Sequence, residues 1–231
     1  MTEQITPEQN KLSRKEREKL RRERDILDAA EKVFSREGFF AAQMSEIARE
    51  AEFAVGTLYS FFKSKEEIYQ RIVEDKVREF IRQYEEAAEA VDDPRLQIER
   101  LIDKKVEYFL RNKSFFRIYV SEFRGMGYSF QRELRAGIAA LYDEYLSWLA
   151  GIFRKGIQQA VFTDLDPDAL ATAFEGVSNS ALVRWLRSGK DGLSEHMAFE
   201  IKEIFFRGVL NGRGESSSRA PVSSTEGGKG R

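Results

Sequence analysis

The chain has 231 residues, of which 42% are hydrophobic and 33% are charged, and its formal net charge is −1. It contains no cysteine and a single histidine, His196. Disulfides and cysteine metal sites are therefore excluded, and catalysis or metal binding by several histidines is excluded as well. The N-terminus is polar and no run approaches about 18 apolar residues, so we expect a soluble cytoplasmic protein with no membrane partner, metal or cofactor.

A basic segment leads into the first predicted helix. Residues 11–24 contain eight Lys or Arg against three Glu, a local excess of positive charge. Such a segment resembles the arms with which DNA-binding proteins follow phosphates or enter the minor groove, although a solvated helical extension would have the same composition. The apolar spacing predicts a helix from about Arg14 to Glu37, ended by Gly38. Residues 1–13 are predicted to be a disordered arm.

Two short helices around a tight turn are predicted next. Ile47 and Ala51 lie four residues apart and share one side of the first of these helices. In the second, Val55–Phe62, Leu58 and Phe62 face back toward that side. Small, hydroxyl and aromatic side chains are then left on the outer face. The pattern favours a helix that enters the major groove of DNA, whose width admits one α-helix.

A capping box follows at Ser64 to Glu67. We expect the Ser64 hydroxyl to accept from an early helical N–H while Glu67 reaches back to the start of the helix. The pattern predicts a helix from Lys65 to about Val91. Its positive dipole end lies beside Lys63, where a phosphate would be stabilised.

The segment from about residue 24 to residue 72 resembles the helix-turn-helix of the TetR family of transcriptional regulators. Two positions depart from the family pattern. Glu52 occupies the turn position that is usually glycine, which is strained if its φ is positive, and Ala54 replaces the usual capping serine. The residues that carry the resemblance are Gly38-Phe39, Ile47-Ala48, Ala51, Gly56-Thr57-Leu58-Tyr59, Phe61-Phe62, Lys65-Glu66 and Ile68.

The whole chain is predicted to be all-α, with about nine helices. A three-helix DNA-binding domain is expected over residues 14–64, and a larger helical ligand-binding and dimerisation domain over residues 65–211. Residues 212–231 are rich in Gly, Ser and charge and are expected to be a disordered tail. The remaining helices are predicted at about 94–111, 115–124, 130–159, 167–187 and 194–210.

The resemblance implies that double-stranded DNA is a partner. We expect the second helix of the motif to contact bases, and the starts of its neighbours to fix the position of the protein on the DNA backbone. The expected DNA-binding residues are Gln43, Ser45, Ala54, Val55, Gly56, Thr57, Tyr59, Ser60, Lys63 and Lys65.

The larger domain is expected to pair with a second copy and to bind a small molecule. The resemblance implies a homodimer formed by the last two helices, and two copies would present two half-sites about one helical turn of DNA apart. Aromatic stripes in this domain are more often plain core than pocket, so the pocket prediction depends on the family resemblance. The expected ligand-binding residues are Phe109, Phe116, Tyr119, Phe123, Trp148, Phe174 and Asn179.

The sequence therefore predicts a ligand-responsive transcriptional regulator. The preferred hypothesis is a repressor that binds a palindromic operator and is released by an apolar or acyl-type effector, because the middle and end of the chain loosely resemble fatty-acid-metabolism regulators of the family. An activator of the same family, or a helical module that binds proteins or a membrane surface, is the alternative. An enzyme is not expected, because no phosphate loop, nucleophile elbow or paired Glu-x-x-His motif occurs.

Overall fold

The computed structural model describes the backbone of residues 13–122, 128–188 and 194–209. These residues form helices and connecting segments without a strand, so the predicted all-α class and the count of nine helices are confirmed for this part of the chain. The predicted disordered arm, apart from Ser13, and the predicted tail lie outside the described residues. The helices are α1 (Arg14–Glu37), α2 (Met44–Glu50), α3 (Val55–Phe61), α4 (Lys65–Glu89), α5 (Pro94–Arg111), α6 (Lys113–Glu122), α7 (Tyr128–Gln158), α8 (Pro167–Ser188) and α9 (Ser194–Val209).

The ends of α1 follow from local hydrogen bonding. The Ser13 hydroxyl accepts from the Glu16 N–H at 3.3 Å, and a Glu16 carboxylate oxygen accepts from the Ser13 N–H at 2.8 Å. At the other end, Gly38 has a φ of 81° and its N–H donates to the Phe34 carbonyl. Glycine adopts this conformation without a steric penalty. The predicted bounds of α1 are confirmed.

The first hydrophobic core lies where α1, α2 and α3 meet the beginning of α4. Completely buried residues of α1 form one apolar cluster with residues of α2, α3 and the beginning of α4. A three-helix unit of this size buries little apolar surface by itself, so α4 is needed to complete its core. Helices α1 to α3 are called the head, and the apolar cluster that they share with α4 is called the head core. Its buried side chains include Ile26, Val33, Phe34, Phe39, Ile47, Leu58, Ile68, Tyr69, Ile72 and Val73.

The second core lies among α4, α5, α7, α8 and α9. Helix α5 is central, because it contacts each of the other four. It begins at an Asp93 cap, whose carboxylate accepts from the Leu96 N–H at 2.8 Å, and Pro94 occupies its first turn as predicted. The rings of Phe153, Phe174 and Phe205 pack together from α7, α8 and α9.

The turn between α2 and α3 is formed by a residue in the left-handed conformation. Glu52 has a φ of 59°, so the condition under which strain is expected at this position is met. Its side chain is exposed, so it has no packing that would compensate for the backbone strain. For a residue with a Cβ, this conformation costs about 1–2 kcal/mol.

We predict that Glu52→Gly stabilises the protein by about 0.5–1 kcal/mol. Glycine removes the steric cost in the folded state, and part of this gain is offset by its greater entropy in the unfolded chain. The change is measured as the free energy of unfolding in urea. Glu52→Ala keeps a Cβ and is the matched control, which should show no comparable gain. A lower stability of Glu52→Gly than of Glu52→Ala would contradict the interpretation of strain at this turn.

Candidate nucleic-acid interface and internal pocket

The outer face of α3 is exposed, and its inner face is buried. Leu58 is completely buried against α2, whereas Val55 and Tyr59 are 42% and 52% exposed. Gly56 and Ser60 lie on the same exposed side, and the Ser60 hydroxyl donates to the Thr57 carbonyl at 2.6 Å. The result is a short helix held by one buried anchor, with a small and aromatic surface facing outward.

The starts of α2 and α3 lie beside this surface. Gln43 precedes α2, and its N–H donates to a Glu46 carboxylate oxygen at 3.0 Å. The side chains of Gln43 and Ser45 are exposed. Ala54 caps α3 without a side-chain hydrogen bond, as its residue type predicts. The N–H groups of the first turn of α3 therefore lack a side-chain acceptor from the cap residue.

The predicted capping box before α4 is only half formed. The Ser64 hydroxyl accepts from the Glu67 N–H at 3.3 Å, as expected. The Glu67 carboxylate instead accepts from the N–H of Lys63, at 2.6 Å, one residue earlier than the box requires. This contact fixes the backbone of Lys63, whose side chain is exposed.

Lys65 has a different role from the expected phosphate contact. Its ammonium donates to the carbonyl oxygens of Phe39, Phe40 and Ala42 at 2.9, 2.8 and 3.0 Å. It also lies 5.0 Å from the centre of the Phe39 ring. A lysine has three N–H donors, and all three are used inside the protein. Lys65 therefore holds the α1–α2 connection against the start of α4 and has no N–H left for a phosphate.

A cavity of about 210 Å³ lies between the head core and the second core. Side chains of α4, α5, α6, α7 and α8 line it, and its walls are mainly apolar. Two lining residues, Val73 and Phe115, also belong to the head core. The cavity is smaller than the clefts of about 300–1,000 Å³ that hold drug-sized ligands, so it fits a small ligand or part of a larger one.

A buried ion pair forms one wall of this cavity. The Lys105 ammonium contacts a Glu175 carboxylate oxygen at 2.7 Å, and these residues are 4% and 5% exposed. The Tyr145 hydroxyl donates to the same oxygen at 2.8 Å, and the Asn179 amide donates to the other oxygen at 3.1 Å. Burial lowers the pKa of Lys105, although Glu175 opposes that shift. Burial, followed by the charge of Glu175, raises the pKa of Tyr145, which keeps its hydroxyl a donor.

Lys76 connects the cavity wall to the head. It lines the cavity, and its ammonium lies 3.2 Å from a Glu31 carboxylate oxygen in α1. The same ammonium donates to the Asn112 side chain, between α5 and α6, at 2.8 Å. The Tyr108 hydroxyl donates to the Lys76 carbonyl at 2.8 Å. A displacement of the Lys76 side chain at this wall would therefore alter a contact of α1.

Two family profiles match the chain. The profile described as "Bacterial regulatory proteins, tetR family" matches residues 26–72, which include α2 and α3. The profile described as "Tetracyclin repressor-like, C-terminal domain" matches residues 91–209, which include α5 to α9.

The chain belongs to the TetR family. The family membership predicted from the helix-turn-helix residues is thus confirmed, and the match extends over α5 to α9 as well.

Several proteins are similar to this TetR-family chain over most of their length. The fatty acid metabolism regulator protein of Bacillus subtilis is 26% identical, over 80% of this chain and 94% of that protein. The transcriptional repressor KstR2 of Rhodococcus jostii is also 26% identical, over 82% and 92%. The crystal structure of FadR from Bacillus subtilis in complex with stearoyl-CoA superposes with a TM-score of 0.69 at 25% identity, over 78% of this chain and 96% of that one. These relatives are transcriptional regulators.

The predicted ligand residues of this TetR-family protein do not all lie at the cavity. Phe109, Phe116 and Asn179 line it. Phe174 is completely buried in the second core, and Trp148 packs against that core beside Tyr145, so neither is a lining residue. The side chain of Tyr119 and the whole of Phe123 lie outside the described residues.

Sequence reasoning missed the charged side of the cavity. Lys105 and Phe109 lie four residues apart on the apolar side of α5, and Glu175 follows Phe174 on the buried side of α8. A charged residue among buried apolar positions of a helix was the signal that would have identified this pair.

The last two helices expose apolar and small side chains. On α9, Phe199 and Ile204 are 59% and 60% exposed. On α8, Ala173, Gly176 and Ser180 are exposed at helical spacing. A Cβ added to Gly176 would meet no atom within 4 Å. Exposed large apolar side chains on two adjacent helices are typical of an interaction surface.

Neither a membrane-spanning helix nor a metal-binding group occurs in the part of the chain that the structure covers. None of its helices has the length and apolar character that a membrane span requires. No group of three or more potential metal-binding side chains occurs among those residues either.

Proposed function

We propose that this protein is a homodimeric repressor that binds a palindromic operator and is released by a small apolar or acyl-type effector. The observation that carries the proposal is the exposed outer face of α3, held by the buried Leu58 in a helix-turn-helix. A helix presented in this way fits the major groove, and two copies supply two half-sites. The names of the relatives support a regulatory rather than an enzymatic role.

The proposed DNA contacts follow the exposed residues of this surface. Tyr59 and Ser60 lie on the outer side of α3 and are placed to contact bases or phosphates. The face lacks arginine and asparagine. Recognition of the base sequence therefore depends on Gln43, on apolar contacts to thymine methyl groups and on DNA shape. The proposed contact residues are Gln43, Ser45, Ala54, Val55, Gly56, Thr57, Tyr59, Ser60 and Lys63.

The effector is proposed to bind in the cavity beneath the head. The complex of Bacillus subtilis FadR with stearoyl-CoA supports an acyl-type ligand here. A ligand that displaces Phe115 or Lys76 would alter contacts of α1 and α4, and would change the spacing of the two heads on DNA. By linkage, DNA must weaken effector binding by the same factor.

We predict that Tyr59→Ala lowers affinity for the operator about tenfold and affinity for random DNA much less, because a base-edge contact acts only in the specific complex. The operator is first selected from random-sequence DNA, and both affinities are then measured by fluorescence anisotropy. Failure to enrich a palindromic sequence would contradict the proposed function itself.

Two lysines provide matched controls for this measurement. Lys63→Ala should weaken binding to all sequences equally and reduce the salt slope of binding by about one, as expected for one phosphate contact. Lys65→Ala should leave the slope unchanged and lower the melting temperature, because it leaves three carbonyl groups without their donor. A reduced salt slope for Lys65→Ala would restore it as a phosphate contact.

We predict that Ile204→Glu converts the dimer to a monomer. A carboxylate buried in an apolar interface without a partner costs several kcal/mol, and Ile204 is 60% exposed in the single chain, so its own fold tolerates the change. The mass is measured by sedimentation velocity. Leu20→Glu changes an equally apolar residue, 44% exposed in α1, and should remain dimeric. A dimeric Ile204→Glu variant would place the interface elsewhere.

We predict that Lys76→Met reduces the effect of a saturating acyl-CoA on operator affinity about fivefold or more. This lies at the lower end of usual coupling between sites, and the change removes the contacts to Glu31 and Asn112 while keeping the apolar stem. The ratio of operator dissociation constants with and without ligand is measured. Lys104→Met removes a lysine that pairs with Glu107 outside the cavity and should leave the ratio unchanged. An equal ratio in Lys76→Met and wild type would exclude Lys76 from the coupling.

A further inference from the structure

The buried pair of Lys105 and Glu175 is chemically unlike the rest of the cavity. The surrounding walls are formed mainly by aromatic and aliphatic side chains. A buried ion pair recovers its desolvation cost only with close geometry and further hydrogen bonds, and apolar replacements are often as stable. The pair is therefore a costly way to join α5 to α8 if joining them is its only role.

The hydrogen bonds of the pair are unevenly satisfied. Glu175 accepts three, from Lys105, Tyr145 and Asn179. The Lys105 ammonium has three donors but donates to one oxygen among the described residues, that of Glu175. Its other neighbours are the rings of Phe80 and Phe174, at 6.0 and 5.6 Å from their centres. The ammonium thus retains the capacity to donate to an oxygen atom of a ligand.

The charge of Glu175 restricts which oxygen that can be. The pair is neutral as a whole, so a ligand carboxylate bound to Lys105 would add a net negative charge to a buried site. It would also lie close to the Glu175 carboxylate, where like charges repel strongly at low effective dielectric. The other lysine that lines the cavity, Lys76, is already paired with Glu31. An uncharged acceptor oxygen adds no net charge to the site and is not repelled by the Glu175 carboxylate.

We propose that the Lys105–Glu175 pair selects small apolar ligands that carry an uncharged carbonyl oxygen, such as an amide, ester, thioester or ketone, and that Glu175 excludes free carboxylic acids. Lys105 donates to the carbonyl oxygen, and the apolar walls hold the hydrocarbon chain. The inference rests on the proposed function in one respect only, that the cavity is the effector site.

Octanamide and octanoate test this selection, because they have nearly the same shape and differ in charge at neutral pH. Binding to the full-length protein is measured by isothermal titration calorimetry in the absence of DNA. We expect the wild type to bind octanamide at least about tenfold more tightly than octanoate. Glu175→Gln leaves Lys105 as an unpaired cation and should reverse the preference in favour of octanoate.

A second variant keeps the test valid if Glu175→Gln does not fold. The double variant Lys105→Met with Glu175→Gln has neither charge at this wall. The contributions of Lys105 and Glu175 to the ratio of the two affinities are then removed, so the ratio should differ from the wild-type value. Glu107→Gln removes a carboxylate from a surface ion pair and is the control, which should keep the wild-type ratio.

Three results would overturn the inference. They are an octanoate affinity equal to or above that of octanamide in the wild type, a wild-type ratio that persists in both pair variants, and no binding of either probe. A purely structural role of the pair would change the melting temperature of the variants without changing the ratio. Enrichment of a palindrome from random DNA is independent of these titrations, so a failed ligand test and a failed regulator proposal are distinguishable.

Discussion

Helix α4 contributes side chains to both hydrophobic cores, and the arrangement of the whole chain depends on it. Its first two turns place Ile68, Ile72 and Val73 in the head core, and its last turns place Tyr84 and Ala88 in the second core. At 25 residues, it extends about 37 Å. The apolar packing at its beginning completes a head that is too small to be stable alone. The same helix forms one wall of the cavity.

Two lysines show how this protein uses positive charge internally. Lys65 donates to three carbonyl groups of the α1–α2 connection, and Lys105 pairs with Glu175 inside the second core. Both ammonium groups donate to acceptors within the chain, although the family motif places Lys65 close to α3. A net charge of −1 and a contact face without arginine fit this distribution. In the proposed complex, binding to DNA depends on a few exposed cations and on the shape of the α3 surface.

Much of the fold follows from local signals in the sequence. Gly38 ends α1, Asp93 and Pro94 begin α5, and the periodic apolar residues of the helix-turn-helix define its buried side, because each of these effects acts within one or two turns. The sequence also marks Glu52 as a departure from the usual turn glycine, and the structure gives it a positive φ.

The site residues depend on contacts between distant segments, which local signals do not specify. The partners of Lys65 lie 23 to 26 residues away, and Glu175 lies 70 residues from Lys105. Phe174 and Phe109 are both buried aromatic residues of the second core, yet only Phe109 also lines the cavity. Only the packing of the helices distinguishes them, since apolar periodicity marks a buried side without stating what lies opposite.

The bonds of Lys65 have a mechanical consequence for the head. They tie the loop after α1 to the first turn of α4 through three carbonyl groups, and the apolar core joins α2 and α3 to the same turn. A tilt of α4 would therefore carry the three helices along as one rigid body. In the proposed dimer, loss of operator affinity would then come from misalignment of two intact heads, so a single half-site should bind one head equally well in either state.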